Sequence, residues 1–205
     1  MIKKIEKIRA WQLIAATAIV LILAFLSVCG YNYAKETSAR KAGTLVAYTA
    51  TADDFELRDI EKTETGYKTT FHDSQMRMEK QQMFSSMKFS MTFTVEPGEI
   101  VLYYKEPGDE HFSEQKRLWA QPVDGEDHRY IVKMPAKAVT EIRLDPSMFA
   151  GNQLTFSDFE FNREKTAGDY FNVTYTHVFC LILYTLVGAA CLRWLQQLIT
   201  KQFDL

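Results

Sequence analysis

The sequence predicts an all-β domain, a jelly-roll-like sandwich, held outside a membrane between two transmembrane α-helices. Three observations predict it. Long apolar runs stand near both ends of the 205-residue chain. Basic residues gather outside those runs and acidic ones between them. The middle alternates apolar with polar residues and is cut at short intervals by Pro, Gly and Asp, which is the pattern of half-buried strands and their turns.

The first run, Trp11 to Cys29, is broken only by Gln12 and scattered Thr and Ser. At 1.5 Å per residue it reaches about 28 Å, close to the hydrocarbon thickness of a bilayer. The second goes from Val173 to Leu192, with His177 near its start and no formal charge before Arg193. Lys3, Lys4, Lys7 and Arg9 would also suit a signal peptide. Signal cores, however, run about 7–15 residues and end in a small-x-small site. Cys29-Gly30-Tyr31-Asn32-Tyr33 offers no such site, and Val28 before Cys29 does not suit lipidation. An uncleaved anchor is expected.

Charge sets the orientation. The two tails hold 6 of the 24 basic residues and 2 of the 26 acidic ones, so the middle carries a net −6. Positive residues stay on the cytoplasmic side, which puts both termini inside a plasma or inner membrane and the middle outside. Trp11 and Trp194 mark the inner interface, and Tyr31, Tyr33, Tyr170, Phe171 and Tyr175 the outer. The expected layout is a cytoplasmic basic tail over 1–10, a membrane helix over 11–30 and a polar stalk over 31–43. An extracytoplasmic β domain follows over 44–166, then a second helix over 173–194 and a cytoplasmic tail over 195–205. All three cysteines (Cys29, Cys180, Cys191) lie in or beside the spans, so the domain has no disulfide framework and no thiolate metal site.

Within the domain, Met87, Phe89, Met91, Phe93 and Val95 alternate with Lys88, Ser90, Thr92 and Thr94, a strand with one buried face. Pro97-Gly98 turns the chain into Ile100–Tyr104, which Pro107-Gly108-Asp109 closes. Leu118–Gln121 is a short strand ending at Pro122. Tyr130, Val132 and Met134 form another that stops at Pro135; Thr140, Ile142 and Leu144 form the next and stop at Asp145-Pro146. Leu154–Phe156 and Phe159–Phe161 are out of phase, which predicts a bulge or a change of sheet between them. Earlier strands are expected at Leu45–Thr49, Phe55–Lys62 and Tyr67–Phe71. The polar stretch Ser74–Gln82 is expected to be a loop or short helix.

The segment Val139–Phe161, VTEIRLDPSMFAGNQLTFSDFEF, resembles the closing strands of β-sandwich domains on bacterial cell-envelope glycosyltransferases and polysaccharide-assembly membrane proteins. Those domains are similar to carbohydrate-binding jelly rolls. Ile142-Arg143-Leu144-Asp145-Pro146, Gly151, and the pairs Leu154/Phe156 and Phe159/Phe161 carry the resemblance, with Val101–Tyr104 and Phe112-Ser113-Glu114 fitting the same layout upstream. It departs at Ser147-Met148-Phe149, where a polar loop is usual. The resemblance implies the fold and, beyond it, glycan chemistry.

Candidate glycan-binding residues are Arg143 and Asp145, which share one face of a strand whose other face is Ile142 and Leu144, together with Trp119 and Tyr103. Aromatic rings stack on sugar faces, while Arg and Asp hydrogen-bond hydroxyls. The plain alternatives are an Arg143–Asp145 ion pair at a strand end and aromatic core packing. Adjacent Tyr103 and Tyr104 must point to opposite faces. Met76, Met78, Met83, Met87 and Met91 cluster, but strand alternation accounts for Met87 and Met91, and only His72 accompanies them, so no copper site is expected. His72, His111, His128 and His177 share no ligand spacing, and no phosphate loop or nucleophile motif is present. No cofactor, metal site or catalytic residue is expected, and the acidic middle disfavours nucleic acid. In the second span, Thr185, Gly188, Ala189 and Ala190 make a smooth face for helix packing, and His177 either reaches the headgroups or meets another helix.

The expected function is that of a noncatalytic, membrane-anchored accessory subunit in making, modifying or exporting an envelope polysaccharide. It would bind glycan, or partner a larger membrane protein (a glycosyltransferase or polysaccharide transporter) or its own copy. The alternative is a protein–protein scaffold that binds no sugar. An exposed aromatic near Arg143 and Asp145 favours the first; a flat apolar face favours the second.

Overall fold

The computed structural model describes residues 9–202, so Lys3, Lys4, Glu6, Lys7 and Asp204, which count in the charge balance of the tails, lie outside the described residues. The chain divides into a helical unit drawn from its two end segments and a β unit spanning Lys35–Glu164.

In the helical unit, α1 (Ala10–Lys41) and α3 (Tyr175–Gln202) are both long and apolar enough to cross a membrane, and a one-turn α2 (Ala167–Tyr170) precedes α3. The first helix does not end at residue 30, as the stalk reading expected. Lys35, Glu36, Ala39, Arg40 and Lys41 are good helix formers, and Glu36 and Arg40 pair at 3.0 Å one turn apart. The helix stops where Gly43 adopts a left-handed φ of 71°. There Gly43 N–H donates to Arg40 O and Thr44 N–H to Ala39 O, the Schellman arrangement that needs a glycine. The second helix likewise runs past residue 194.

The β unit has eleven strands: β1 (Tyr48–Ala50), β2 (Glu56–Arg58), β3 (Ile60–Thr63), β4 (Gly66–Thr69), β5 (Gln75–Phe93), β6 (Val101–Lys105), β7 (Arg117–Trp119), β8 (Gln121–Pro122), β9 (Arg129–Asp145), β10 (Gln153–Phe156) and β11 (Phe159–Phe161). They form one antiparallel network in the order β3-β4-β10-β5-β9-β6-β7, with β2 and β11 also on β5, β1 on β11 and β8 on β9. Ile60 near one edge and Leu102 near the other share a single core with Phe84, Phe89, Phe159 and Phe161, so the network wraps around that core. Aromatic rings fill its centre: Phe159 lies 4.8 Å from Phe55 and 5.3 Å from Phe89.

Two long strands make the wrapping possible, and both depart from the sequence expectation. Ser74–Gln82 is neither loop nor helix; nearly all of it belongs to β5. Met76 and Met78 point into the core there while Gln75, Arg77 and Glu79 point out. The alternation then breaks because β5 advances three residues, Glu79 to Gln82, while β9 advances two, a bulge that hides the periodicity. Pro135 does not stop a strand either. Between Lys133 and Lys137, β9 advances four residues against two on β5, so Pro135 sits in a bulge, a position proline tolerates because it has no ladder N–H to lose. The predicted phase slip after Phe156 is a bulge too: Phe156 pairs with Met91 and Glu160 with Lys88, four residues against three.

The two ends of β5 meet at one end of the unit. Met76 pairs with Leu144 and Phe93 with Leu154, and the short loop between those partners bonds back to Pro97 through Met148 N–H and to Val95 through Asn152. Ser85, at the middle of β5 and roughly 30 Å of strand from Met76, therefore lies at the opposite end. There the part of α1 that belongs to the β unit, residues 35–41, is held: Ser85 Oγ donates to the buried Glu36 at 3.2 Å, and Arg40 donates to Arg163 O at 3.0 Å.

Candidate functional site

The outward face of the β2-β5-β9-β6-β7 part of the network carries a cross-strand row, Glu56–Arg77–Arg143–Tyr103–Arg117. Its inward counterpart is the core row Met76–Leu144–Leu102–Leu118. A parallel outward row runs Asp145–Val101–Trp119. Period two thus brings all four expected glycan-binding residues onto one face. Tyr104 turns into the core, and Tyr103 outward.

Arg143 and Asp145 make a bidentate pair, with Nε to Oδ1 at 2.7 Å and Nη2 to Oδ2 at 2.6 Å, and Nη2 also donates to Asp73. Their side chains are only 16% and 18% exposed. Burial pushes the Asp145 carboxyl above its ordinary value and Arg143 pulls it part of the way back. The Arg143 guanidinium lies 5.0 Å over the Tyr103 ring. Burial also raises the Tyr103 hydroxyl, which donates to Glu114 at 3.3 Å. Trp119 is 44% exposed; Arg117 lies 4.7 Å over its ring and its indole N–H donates to Glu99 at 3.2 Å.

A third aromatic belongs to this face. Phe112 sits on the loop between β6 and β7, which closes on itself through Asp109: that carboxylate accepts from Glu106 N–H at 2.8 Å and from Lys116 at 2.5 Å. The loop lays Phe112 edge-on to Tyr103, with Arg77 5.4 Å and Lys105 4.7 Å from its ring centre. Sequence reasoning reaches Phe112 only as part of a strand-to-turn pattern and misses Arg77, because the β5 segment holding it does not read as a strand.

In the helical unit, a Cβ on Gly188 would meet Thr17 Cγ2 at 2.8 Å, and Thr185 and Ala189 are buried. The small-residue face of α3 is therefore used against α1 of the same chain, and it lends no support to packing against a partner. His177 Nδ1 accepts from Thr174 N–H at 3.1 Å, capping the start of α3, and its ring lies 5.4 Å from Phe25 of α1.

No protein-family model matches the sequence, and no curated protein sequence matches it. Solved structures with some likeness include a low-affinity xylan-binding module, CBM86, from the gut symbiont Roseburia intestinalis, at a TM-score of 0.37 and 14% identity over 60% of this chain and 98% of that one. Another is a carbohydrate-binding module of family 29, at 0.40 and 9% over 60% and 93%. A variant of a family 29 module complexed with cellulohexaose gives 0.39 and 10% over 60% and 95%. At that similarity the likeness carries no weight on what this domain binds.

Proposed function

We propose that the β unit is a noncatalytic glycan-binding module, held outside a plasma or inner membrane by α1 and α3. It would serve as an accessory subunit in the synthesis, modification or export of an envelope polysaccharide. The observation that carries this reading is the exposed Trp119 on the same sheet face as Tyr103, Arg143 and Asp145. Aromatic rings beside fixed, oriented polar groups are what a pyranose needs for stacking and for hydroxyl recognition. The test is gentle purification of the full-length protein from its native membrane, with mass spectrometry of whatever comes with it. A multispanning glycosyltransferase or polysaccharide transporter in near-equal amount is the expected outcome; the protein alone, or with unrelated proteins, sinks the accessory role.

A second reading, a scaffold that binds proteins and no sugar, draws on a different surface. Phe71, Val95, Met148 and Phe149 are all about half exposed, on the loops at the end of the unit away from Ser85. Loss of a copurifying partner on Phe149→Ser, with glycan binding intact, would favour it.

A further inference from the structure

On the outward face of the β unit, the cations of the row other than Arg77 each have a carboxylate. Arg143 has Asp145 and Asp73, and Arg117 has Glu114; alongside them Lys105 has Glu141 at 2.5 Å. Arg77, between Glu56 and Arg143 in the row, has no such partner among the described residues. Among the described residues no carboxylate lies within 4.0 Å of it, because its cross-strand neighbour Glu56 is held by Arg58 at 2.9 Å and Asp145 and Asp73 by Arg143. Its Nε and Nη2 both donate to one neutral oxygen, Gln75 Oε1, at 2.8 and 2.5 Å. Its Nη1 has no partner among the described residues and is open to solvent. The guanidinium is half-buried against Phe112.

A guanidinium partly stripped of water and bonded only to an amide oxygen is under-satisfied, and a carboxylate presented to it would gain a charge-assisted, forked interaction. Tyr103, Phe112 and Trp119 on the same face supply ring surfaces for the sugar itself. The net −6 of the middle segment opposes any densely charged polyanion. We propose that this face takes a glycan carrying an isolated carboxylate, a uronic-acid residue in an otherwise neutral chain, with Arg77 as the carboxylate anchor. This rests on the glycan-binding reading above and sharpens it.

The experiment uses the full-length protein in lipid nanodiscs at about 0.15 M salt, where the Debye length is ~8 Å and the long-range repulsion is screened. An array presents oligosaccharides with one glucuronate on several neutral backbones, each beside its carboxyl-reduced form and a phosphorylated counterpart. The expected result is at least a tenfold preference for one uronate form over its reduced partner. Arg77→Gln should abolish that preference, and Arg77→Lys should keep only part of it. Equal binding of the two forms, a preference surviving in Arg77→Gln, or a stronger preference for phosphate overturns the anchor while leaving glycan binding in place. Binding to none of the sugars, in any form, overturns both readings. Melting temperatures of the variants separate a lost anchor from a lost fold, and Arg77→Lys, which keeps the charge, decides the case if Arg77→Gln does not fold.

Discussion

The Asn162 side-chain oxygen accepts the backbone N–H of Ser85, 77 residues away, at 2.8 Å. Its amide nitrogen donates to Met83 O at 2.8 Å and to Val46 O at 3.1 Å. One buried side chain therefore joins the middle of β5 to the segment entering β1 and to the end of β11, at the end of the unit where Glu36 is buried beside Ser85. Asn162 also holds a left-handed φ of 52°, which asparagine adopts more readily than most residues.

Asn162→Ala removes three hydrogen bonds and leaves the buried Ser85 N–H unpaired, for an expected loss of about 3 kcal/mol in denaturant unfolding of the β unit. Asn162→Gly loses the same bonds but tolerates the backbone, so it should be less damaging by about 1 kcal/mol. Equal losses would show that the backbone conformation contributes nothing.

Arg143→Ala strands the half-buried Asp145. The expected cost is about 2 kcal/mol near neutral pH, below the range for breaking a fully buried pair because both side chains keep some exposure. Asp145 is already raised above its unfolded value, so the folded state holds its proton more tightly and stability falls as pH rises through the folded value. Removing Arg143 takes away the group pulling that value down. Unfolding midpoints across mildly acidic to neutral pH should therefore show a steeper decline for Arg143→Ala than for the wild type; parallel curves would contradict the assignment.

Tyr48 stacks on Phe161 at 4.6 Å with Lys80 3.5 Å above its ring, and burial pushes its hydroxyl up to about 12. In a tyrosinate absorbance titration it should ionise later than the exposed tyrosines. Its contribution to stability is complete below the ordinary value of 10.0 and is lost as pH rises towards 12. The late phase should vanish in Tyr48→Phe.

Gly188→Ala places a methyl against Thr17 and should weaken α1–α3 packing by roughly 1–2 kcal/mol, in line with overpacking elsewhere. Thr17→Ala removes the obstructing carbon, so the double variant should recover most of the loss. A double-mutant cycle read by steric trapping or by helix cross-linking in nanodiscs checks this, and strict additivity would deny the contact.

Much of this architecture is local, and so legible in the residue order. Two apolar runs, the alternation from Met87 to Phe93, and the opposite orientations of Tyr103 and Tyr104 follow from composition and period two, because burying one face constrains each residue separately. The face shared by Arg143 and Asp145 was readable for the same reason. What the chain order left open was decided by register. Bulges at Glu79–Gln82 and around Pro135 interrupt the alternation, so β5 and β9 look like shorter pieces, and only pairing with each other makes them continuous. The end of α1 depends on Gly43 and on burial of Glu36 beside Ser85, a contact between distant segments. The row that sets Arg77 beside Arg143, Tyr103 and Arg117 draws on four strands. Local pattern assigns each of those side chains a face; only the tertiary pairing assigns it neighbours, and among the described residues those neighbours leave Arg77 with no carboxylate within 4.0 Å.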